Sequence, residues 1–322
     1  MAGAGFRVGL ISNPASGHNR DRFERIRRRV DACSAIDHRI SNSVDEVGAL
    51  LEGFAREKID LLAINGGDGT VSAVLGTAME QGAFATLPPV ALLPGGTANM
   101  NAGDIGIRGG LERAVENFCA WVSDDARLSR YEERCLLRVS LAHEARDRYG
   151  MFLGGGAVIT GTEYAHQHIH SRGLRDDLSL ALGVVRTVWG VLRRDPLFSR
   201  AAQMQLCADE GPAVDYATLI LAVSTLQRLA FGMRPFWGSG RGAARLTLIE
   251  ADSERFLRTF LSIIAGRPTR FAQPGNGYHS VNFDRLRLSG EGALNLDGEI
   301  FAAKDEVLVS TTPAVRFLQL PC

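Results

Sequence analysis

The chain has 322 residues and a mass of 34.8 kDa, 45% hydrophobic and 22% charged. That composition excludes a disordered tail, a coiled coil or a collagen-like rod, and the length suits two domains that each bury a core. Thirty-six basic residues balance 36 acidic ones, so no global charge draws the chain to nucleic acid.

Within that balance only Lys58 and Lys304 are lysine, and the other 34 basic residues are arginine. Neither lysine sits in a glycine-rich loop. Walker A loops, protein-kinase strand lysines and Schiff-base chemistry are therefore excluded. Cysteines 33, 119, 135, 207 and 322 are odd in number and have no Cys-x-x-Cys spacing. They argue against a disulfide framework or structural zinc, and for a reducing compartment. The opening MAGAGFRVGLISNP reads as a first strand rather than a signal peptide, and no apolar run is long enough to span a bilayer. The expected location is the cytoplasm.

In chain order, Phe6 to Ser12 reads as a strand leading through Asn13-Pro14-Ala15-Ser16-Gly17 into a basic helix over about residues 20–32. Asp37 to Ile40 reads as the second strand. Ile59 to Ile64 leads through Gly66-Gly67-Asp68-Gly69-Thr70 into a helix over 71–81. Val90 to Leu93 leads through Pro94-Gly95-Gly96-Thr97-Ala98-Asn99 to a short helix or loop, and Leu111 to Val122 is a further helix. Buried strands alternating with helices predict a parallel sheet covered on both faces, with ligands beyond the carboxyl ends of its strands. From about Cys135 short strand-like runs take over: CLLRVSLA, YGMFLGGGAVI, AAQMQLCA, YATLILAVS, ARLTLIE, SVNFDRLRLSG and ALNLDGEIFAA. Helical patterns interrupt them at about 176–194 and 252–265. The second domain is expected to be antiparallel and β-rich, packed against the first across a cleft.

GGDGT carries the strongest chemical signal. Glycines let the backbone approach an anion, and the helix that follows offers unpaired N–H groups and the positive end of its dipole. Asp68 would repel phosphate unless it acts through a cation such as Mg²⁺. A plain strand–helix turn would instead use Asp68 as an N-cap. In PGGTANMN the hydrogen-bonding candidates are Thr97 and Asn99. In NPASG, Pro14 fixes the strand exit and Ser16-Gly17 precede a helix.

NPASG, GGDGT and PGGTAN, in that order, resemble the catalytic domain of the diacylglycerol kinase family, which includes soluble bacterial lipid kinases and the sphingosine and ceramide kinases. Leu296-Asp297-Gly298-Glu299 resembles the family's Asp-Gly-Glu, although alone it reads as a hairpin with Asp-Gly at its tip. The resemblance is weakest across residues 160–235. It implies a phosphofructokinase-like parallel α/β nucleotide domain followed by an antiparallel β-sandwich lipid-binding domain, with the active site in the cleft. The boundaries expected are 1–133 and 134–303, with 304–322 returning to the first domain. By motif, Asn13, Ser16, Gly17, Gly66, Gly67, Asp68, Gly69, Thr70, Gly96, Thr97 and Asn99 would line the ATP site. Ser41 is a looser match, Asp68 would serve Mg²⁺, and Asp297 or Glu299 would be the general base. The implied activity is transfer of the γ-phosphate of ATP to a hydroxyl of a diacylglycerol-like lipid, ceramide or a sphingoid base. The implied partners are a lipid substrate, peripheral contact with the inner face of a membrane and, optionally, a second copy in a homodimer. No nucleic acid is implied.

Two departures stand out. Met100 occupies the place where the family commonly has an aspartate, with Asp104 as a candidate substitute. The stretch GSGRGAARLTLI lacks the family's late acidic segment, so no accessory metal site is expected. Elsewhere, His166, His168 and His170 read as a polar loop or pocket wall rather than a metal site. The basic run Arg20 to Arg29 reads as a solvated helix face, or more sharply as a membrane-docking patch. Residues 178–192 are apolar nearly all round and read as a buried helix, or as the wall of an acyl pocket rimmed by FGMRPFWG at 231–238. The competing functions are a NAD kinase-type enzyme, which leaves NPASG and the Asp-Gly-Glu unexplained, and a catalytically impaired nucleotide-binding regulator, suggested by Met100.

Overall fold

The computed structural model describes residues 6–159, 201–303 and 305–320. The chain divides into two compact units, residues 1–134 with 314–322, and residues 135–313. Chain order gives β1 (Val8–Ser12), α1 (Phe23–Asp31), β2 (Ile36–Ile40), α2 (Val44–Glu57), β3 (Leu61–Gly66), α3 (Asp68–Gln81), β4 (Val90–Pro94), α4 (Met100–Asp104), α5 (Leu111–Ser123) and β5 (Arg130–Arg134). The second unit holds β6 (Leu137–Leu141), β7 (Arg148–Gly150), β8 (Phe152–Gly156), β9 (Ala202–Ala208), β10 (Val214–Ser224) and β11 (Ala244–Glu250). It continues with α6 (Phe256–Ile264), β12 (Tyr278–Phe283), β13 (Arg285–Gly290), β14 (Ala293–Leu296), β15 (Glu299–Ala302) and β16 (Val307–Thr311). The chain then returns to the first unit at Ala314 and ends in β17 (Val315–Gln319).

The sheet of the first unit has the order β2-β1-β3-β4-β17-β5, parallel except for the β17–β5 pair. Every residue of β1, β3 and β4 is buried, as strands covered on both faces require. Val8, Leu10, Leu61, Ala63, Ala91 and Leu93 join Ile26 and Val30 of α1 and Val115, Phe118 and Trp121 of α5 in one core cluster. The helix α2, which the motif reading did not anticipate, packs with α3 and carries Leu51 and Phe54 into the interior. The basic helix is shorter than expected. It starts at Phe23, because a single turn at Gly17–Asn19 first carries the chain away from NPASG.

The second unit is antiparallel and β-rich, as expected. Its layers, however, are one hydrogen-bonded sheet of eleven strands rather than two separate sheets of a sandwich. The long strand β10 makes this possible. One edge pairs with β9 over Val214–Thr218 and with β8 over Ile220–Ser224, and β11 pairs with the other edge. The sheet therefore branches around a main core containing Leu137, Leu153, Met204, Leu221, Leu246, Phe283, Leu288 and Val309. The glycines of GSGRG have a steric cause here. A Cβ on Gly238, Gly240 or Gly242 would lie 1.8–2.4 Å from the backbone of residues 280–283. The expected helix at 176–194, the histidines 166, 168 and 170 and the apolar run 178–192 lie outside the described residues.

The returning strand places Phe317 and Leu318, both fully buried, in the core of the first unit. Phe317→Ala should destabilise that unit by about 3–5 kcal/mol. Urea unfolding followed by fluorescence, to which the buried Trp121 contributes, checks this.

Candidate active site

Beyond the carboxyl ends of β1, β3 and β4, three loops of the first unit lock together. Asn13 Nδ2 donates to Thr70 Oγ1 at 3.0 Å, and Ser16 Oγ lies 3.2 Å from the same hydroxyl. Ser16 Oγ also accepts the Gly67 N–H at 3.3 Å. NPASG and GGDGT are thus joined through two side chains that the sequence singled out. GGDGT and PGGTAN meet backbone to backbone. A Cβ added to Gly96 would lie 2.2 Å from Gly67 Cα, so no other residue type fits without moving a loop. Asn99, in the left-handed region at φ 45°, clamps its own loop: Oδ1 accepts the Gly96 N–H at 2.9 Å, and Nδ2 donates to the Gly96 carbonyl at 2.7 Å.

Asp68 does cap a helix, but not the one it begins. Its Oδ2 accepts the N–H of Met100 at 3.0 Å and its Oδ1 that of Asn101 at 2.9 Å, so it holds the first turn of α4. Burial pushes the Asp68 carboxyl above the ordinary carboxylate range, against the N–H groups of Asn101 and Met100, which favour the charged form. Beside it, the N–H groups of residues 68–70 open the 14-residue α3 and have no acceptor within that helix. Gly69 is exposed in that first turn, Gly66 closes β3, Thr97 is half-buried in its loop and Gly17 opens the turn after NPASG.

Other residues have different tasks. Ser41 donates to the Ser43 carbonyl at 2.7 Å and is almost fully buried, so its hydroxyl serves the entry to α2. Asp104, considered above as a metal ligand, is a buried counter-ion: Arg134 Nε approaches its Oδ2 at 2.6 Å. The pair fastens the far end of α4 to β5. Beneath the loops runs a polar chain that the motifs did not reveal. Asp31 Oδ1 lies 2.7 Å from His38 Nδ1, and His38 Nε2 lies 2.9 Å from Ser12 Oγ, to which Asn65 Nδ2 donates at 3.2 Å. Ser12 and Asn65 are fully buried, and His38 nearly so. The neutral tautomer with Nδ1–H toward Asp31 satisfies each of these bonds. Asn19 Nδ2 donates to the carbonyl of Asn13 at 2.7 Å and fixes the same loop from below. No local pattern marks these residues, because their partners lie on different strands.

In the second unit, Asp297 and Gly298 form the two-residue tip between β14 and β15, at φ 47° and 101°. Positive φ at both positions is the geometry of a type I′ hairpin. Asp297 Oδ2 accepts the Met151 N–H at 2.7 Å and Oδ1 that of Phe152 at 3.0 Å. Glu299 differs: its side chain is 68% exposed and pairs with Arg148. Arg148 is itself gripped by both oxygens of Glu144, at 2.9 and 2.8 Å. The carboxylates of Glu144 and Glu299 hold the Arg148 guanidinium firmly charged.

The order and linkage of the three loops agree with what the chain matches. Residues 7–130 match the diacylglycerol kinase catalytic domain. All three glycine loops fall inside the matched residues, and Asp297 and Glu299 fall beyond them. Among solved structures, the chain is similar to a diacylglycerol kinase from Bacillus anthracis str. Sterne at 13% identity and TM-score 0.64, covering 98% of this chain and 97% of that one. It is also similar to two candidate diacylglycerol kinases from the same strain. One has 14% identity and TM-score 0.66, covering 97% of this chain and 96% of that one. The other has 14% identity and TM-score 0.67, covering 100% and 98%. At such identities the likeness shows a shared fold. No curated protein sequence matches the chain. Among the described residues no helix is long and apolar enough to cross a membrane.

Two outcomes follow for the first unit. Asp104→Ala leaves Arg134 buried without its partner, and should cost about 3–5 kcal/mol in urea unfolding. For Asp68, a folded-state pKa above the unfolded one means that the protonated carboxyl favours folding. That contribution is present in acid and is lost as pH rises above about 4. The stability of wild type relative to Asp68→Asn should therefore decline from acid toward neutral pH, as read from denaturant midpoints across that range.

Proposed function

We propose that this chain is an ATP-dependent lipid kinase that transfers the γ-phosphate to a hydroxyl of a diacylglycerol-like lipid, ceramide or a sphingoid base. The observation that carries this reading is the interlocked trio of loops beside the open N–H groups of α3, within a diacylglycerol kinase catalytic domain. In this reading the first unit, about residues 1–133, is the phosphofructokinase-like nucleotide domain and the second binds the lipid.

The residues fit a nucleotide. Gly69 lies exposed in the first turn of α3, where the backbone is open to phosphate, and Asn13, Ser16, Thr70 and Thr97 add neutral donors. They also fit Mg²⁺ held chiefly by phosphate oxygens, since a Mg²⁺ ion needs only one or two carboxylates and each Asp68 oxygen keeps a lone pair beyond the one that accepts a backbone N–H. Bound there, the ion would supply neutralisation of the charge on the transferring phosphoryl group. Among the described residues no set of three His, Cys, Asp or Glu side chains could hold a metal without phosphate.

Glu299 is the proposed base. Its exposed carboxylate takes the proton of the acceptor hydroxyl as that oxygen bonds to the γ-phosphorus and ADP departs with the electron pair of the broken bond. Arg148, anchored by Glu144, orients that carboxylate. Asp297 serves by holding the hairpin, because both of its oxygens already bind backbone. Reaching such an acceptor implies peripheral contact with the inner face of a membrane.

Purified protein incubated with labelled ATP, Mg²⁺ and a lipid panel in mixed micelles should label one lipid class. Label on NAD⁺, or on nothing while ATP still binds, overturns the reading. Glu299→Gln should lower transfer at least about 100-fold with an unchanged unfolding midpoint. Asp297→Ala should instead cost about 2–4 kcal/mol of stability through its two lost hydrogen bonds.

A further inference from the structure

The helix α6 and the turn beside it present large apolar side chains on their outer side. Phe256, Phe260 and Ile263 of α6 point inward onto Ile249 and Tyr278. A surface helix ordinarily turns charged or polar residues outward from such a stripe. Here Leu257 and Leu261, one turn apart, are 41% and 48% exposed. Phe231 is 60% exposed in a neighbouring turn at φ 56°, a conformation that bulky residues rarely adopt. The Arg234 N–H donates to the Ile264 carbonyl at 2.9 Å, which ties that turn to the end of α6.

The charge around these apolar groups is mainly positive. From Asp252 to Gln273 the sequence carries Arg255, Arg258, Arg267 and Arg270 against Asp252 and Glu254, both of which precede the helix. Arg255 and Arg270 lie over the Phe271 ring at 4.2 and 5.1 Å rather than against a carboxylate. The arginines of α1 are arranged differently. Arg25 and Arg29 reach Glu112 and Glu116 of α5, and Arg27 pairs with Glu24. That face is a solvated ion-pair surface, with carboxylates of α1 and α5 already paired to its arginines.

We infer that α6 and the 231–234 turn dock this protein on a bilayer bearing anionic phospholipids, with Leu257, Leu261 and Phe231 entering the interface and Arg258 and Arg267 meeting the headgroups. Apolar area and arginine together are what an interfacial helix needs, since burial of the leucines anchors it and anionic lipid attracts its cations. This surface deepens the lipid-kinase reading and rests on it for its purpose, but its binding is measured separately.

The test sediments the full-length chain with vesicles of phosphatidylcholine, alone or mixed with phosphatidylserine. Wild type should pellet with the mixed vesicles and much less with phosphatidylcholine alone. L257S/L261S should lower partition roughly tenfold or more, and R258Q and R267Q about fivefold each, all with the wild-type unfolding midpoint. Wild type that stays in the supernatant, or variants that pellet like wild type, overturn the inference. A dimer in light scattering that L257S/L261S dissociates while vesicle binding persists also overturns it, by assigning the face to a second copy. Loss of vesicle binding in the variants, together with no label on any lipid in micelles, supports the docking surface and overturns the kinase reading.

Discussion

The carboxylate of Asp68 lies at the junction of two loops and two helices, and the arrangement of the glycine loops in the first unit depends on where it points. It belongs to the first turn of α3, yet both oxygens accept N–H groups of α4, at Met100 and Asn101. One residue therefore sets the spacing between GGDGT and PGGTAN. The glycine contact between residues 67 and 96 can exist only at that spacing. Arg134 holds the other end of α4 through Asp104, so a helix of five residues is fixed at both termini. A segment that short has little helical stability of its own.

A similar economy operates in the second unit. Asp297 and Glu299 are two residues apart on a tight hairpin, and an identical charge has opposite uses. Asp297 turns back onto the amides of β8 and stabilises the turn, whereas Glu299 projects outward and is oriented by Arg148. In both units the carboxylates closest to the glycines bind backbone. Within the hairpin, the two carboxylates differ in that Asp297 satisfies two backbone N–H groups and Glu299 an arginine.

The three glycine loops were legible because close backbone approach leaves a local mark: only glycine survives at Gly96. The strands β1, β3 and β4 were legible for a related reason, since strands buried on both faces read as unbroken apolar runs. The roles of Asn99, Ser41 and Asp104 were not legible. Residue type suggests a ligand contact for each, and the structure adds a partner within the protein, Gly96, Ser43 and Arg134 respectively. The Asp31–His38–Ser12–Asn65 chain left no mark at all, because its members come from α1, β2, β1 and β3. The apolar outer side of α6 could not be read either, since a short apolar helix looks the same from sequence whether it is covered or exposed.

By itself the sequence determined the chemistry available: two lysines, glycine loops in a fixed order, and an Asp-Gly-Glu near the end. It determined the alternation of strands and helices in the first unit and the run of short strands in the second. Those properties are local, and local sterics and periodicity record them. Only the tertiary structure decided that Asp68 caps α4, that the eleven strands of the second unit form one branched sheet around β10, and that Asp297 and Glu299 face different partners. Each of those outcomes depends on which distant backbone N–H or strand edge lies within hydrogen-bonding reach, and residue spacing along the chain does not encode that distance.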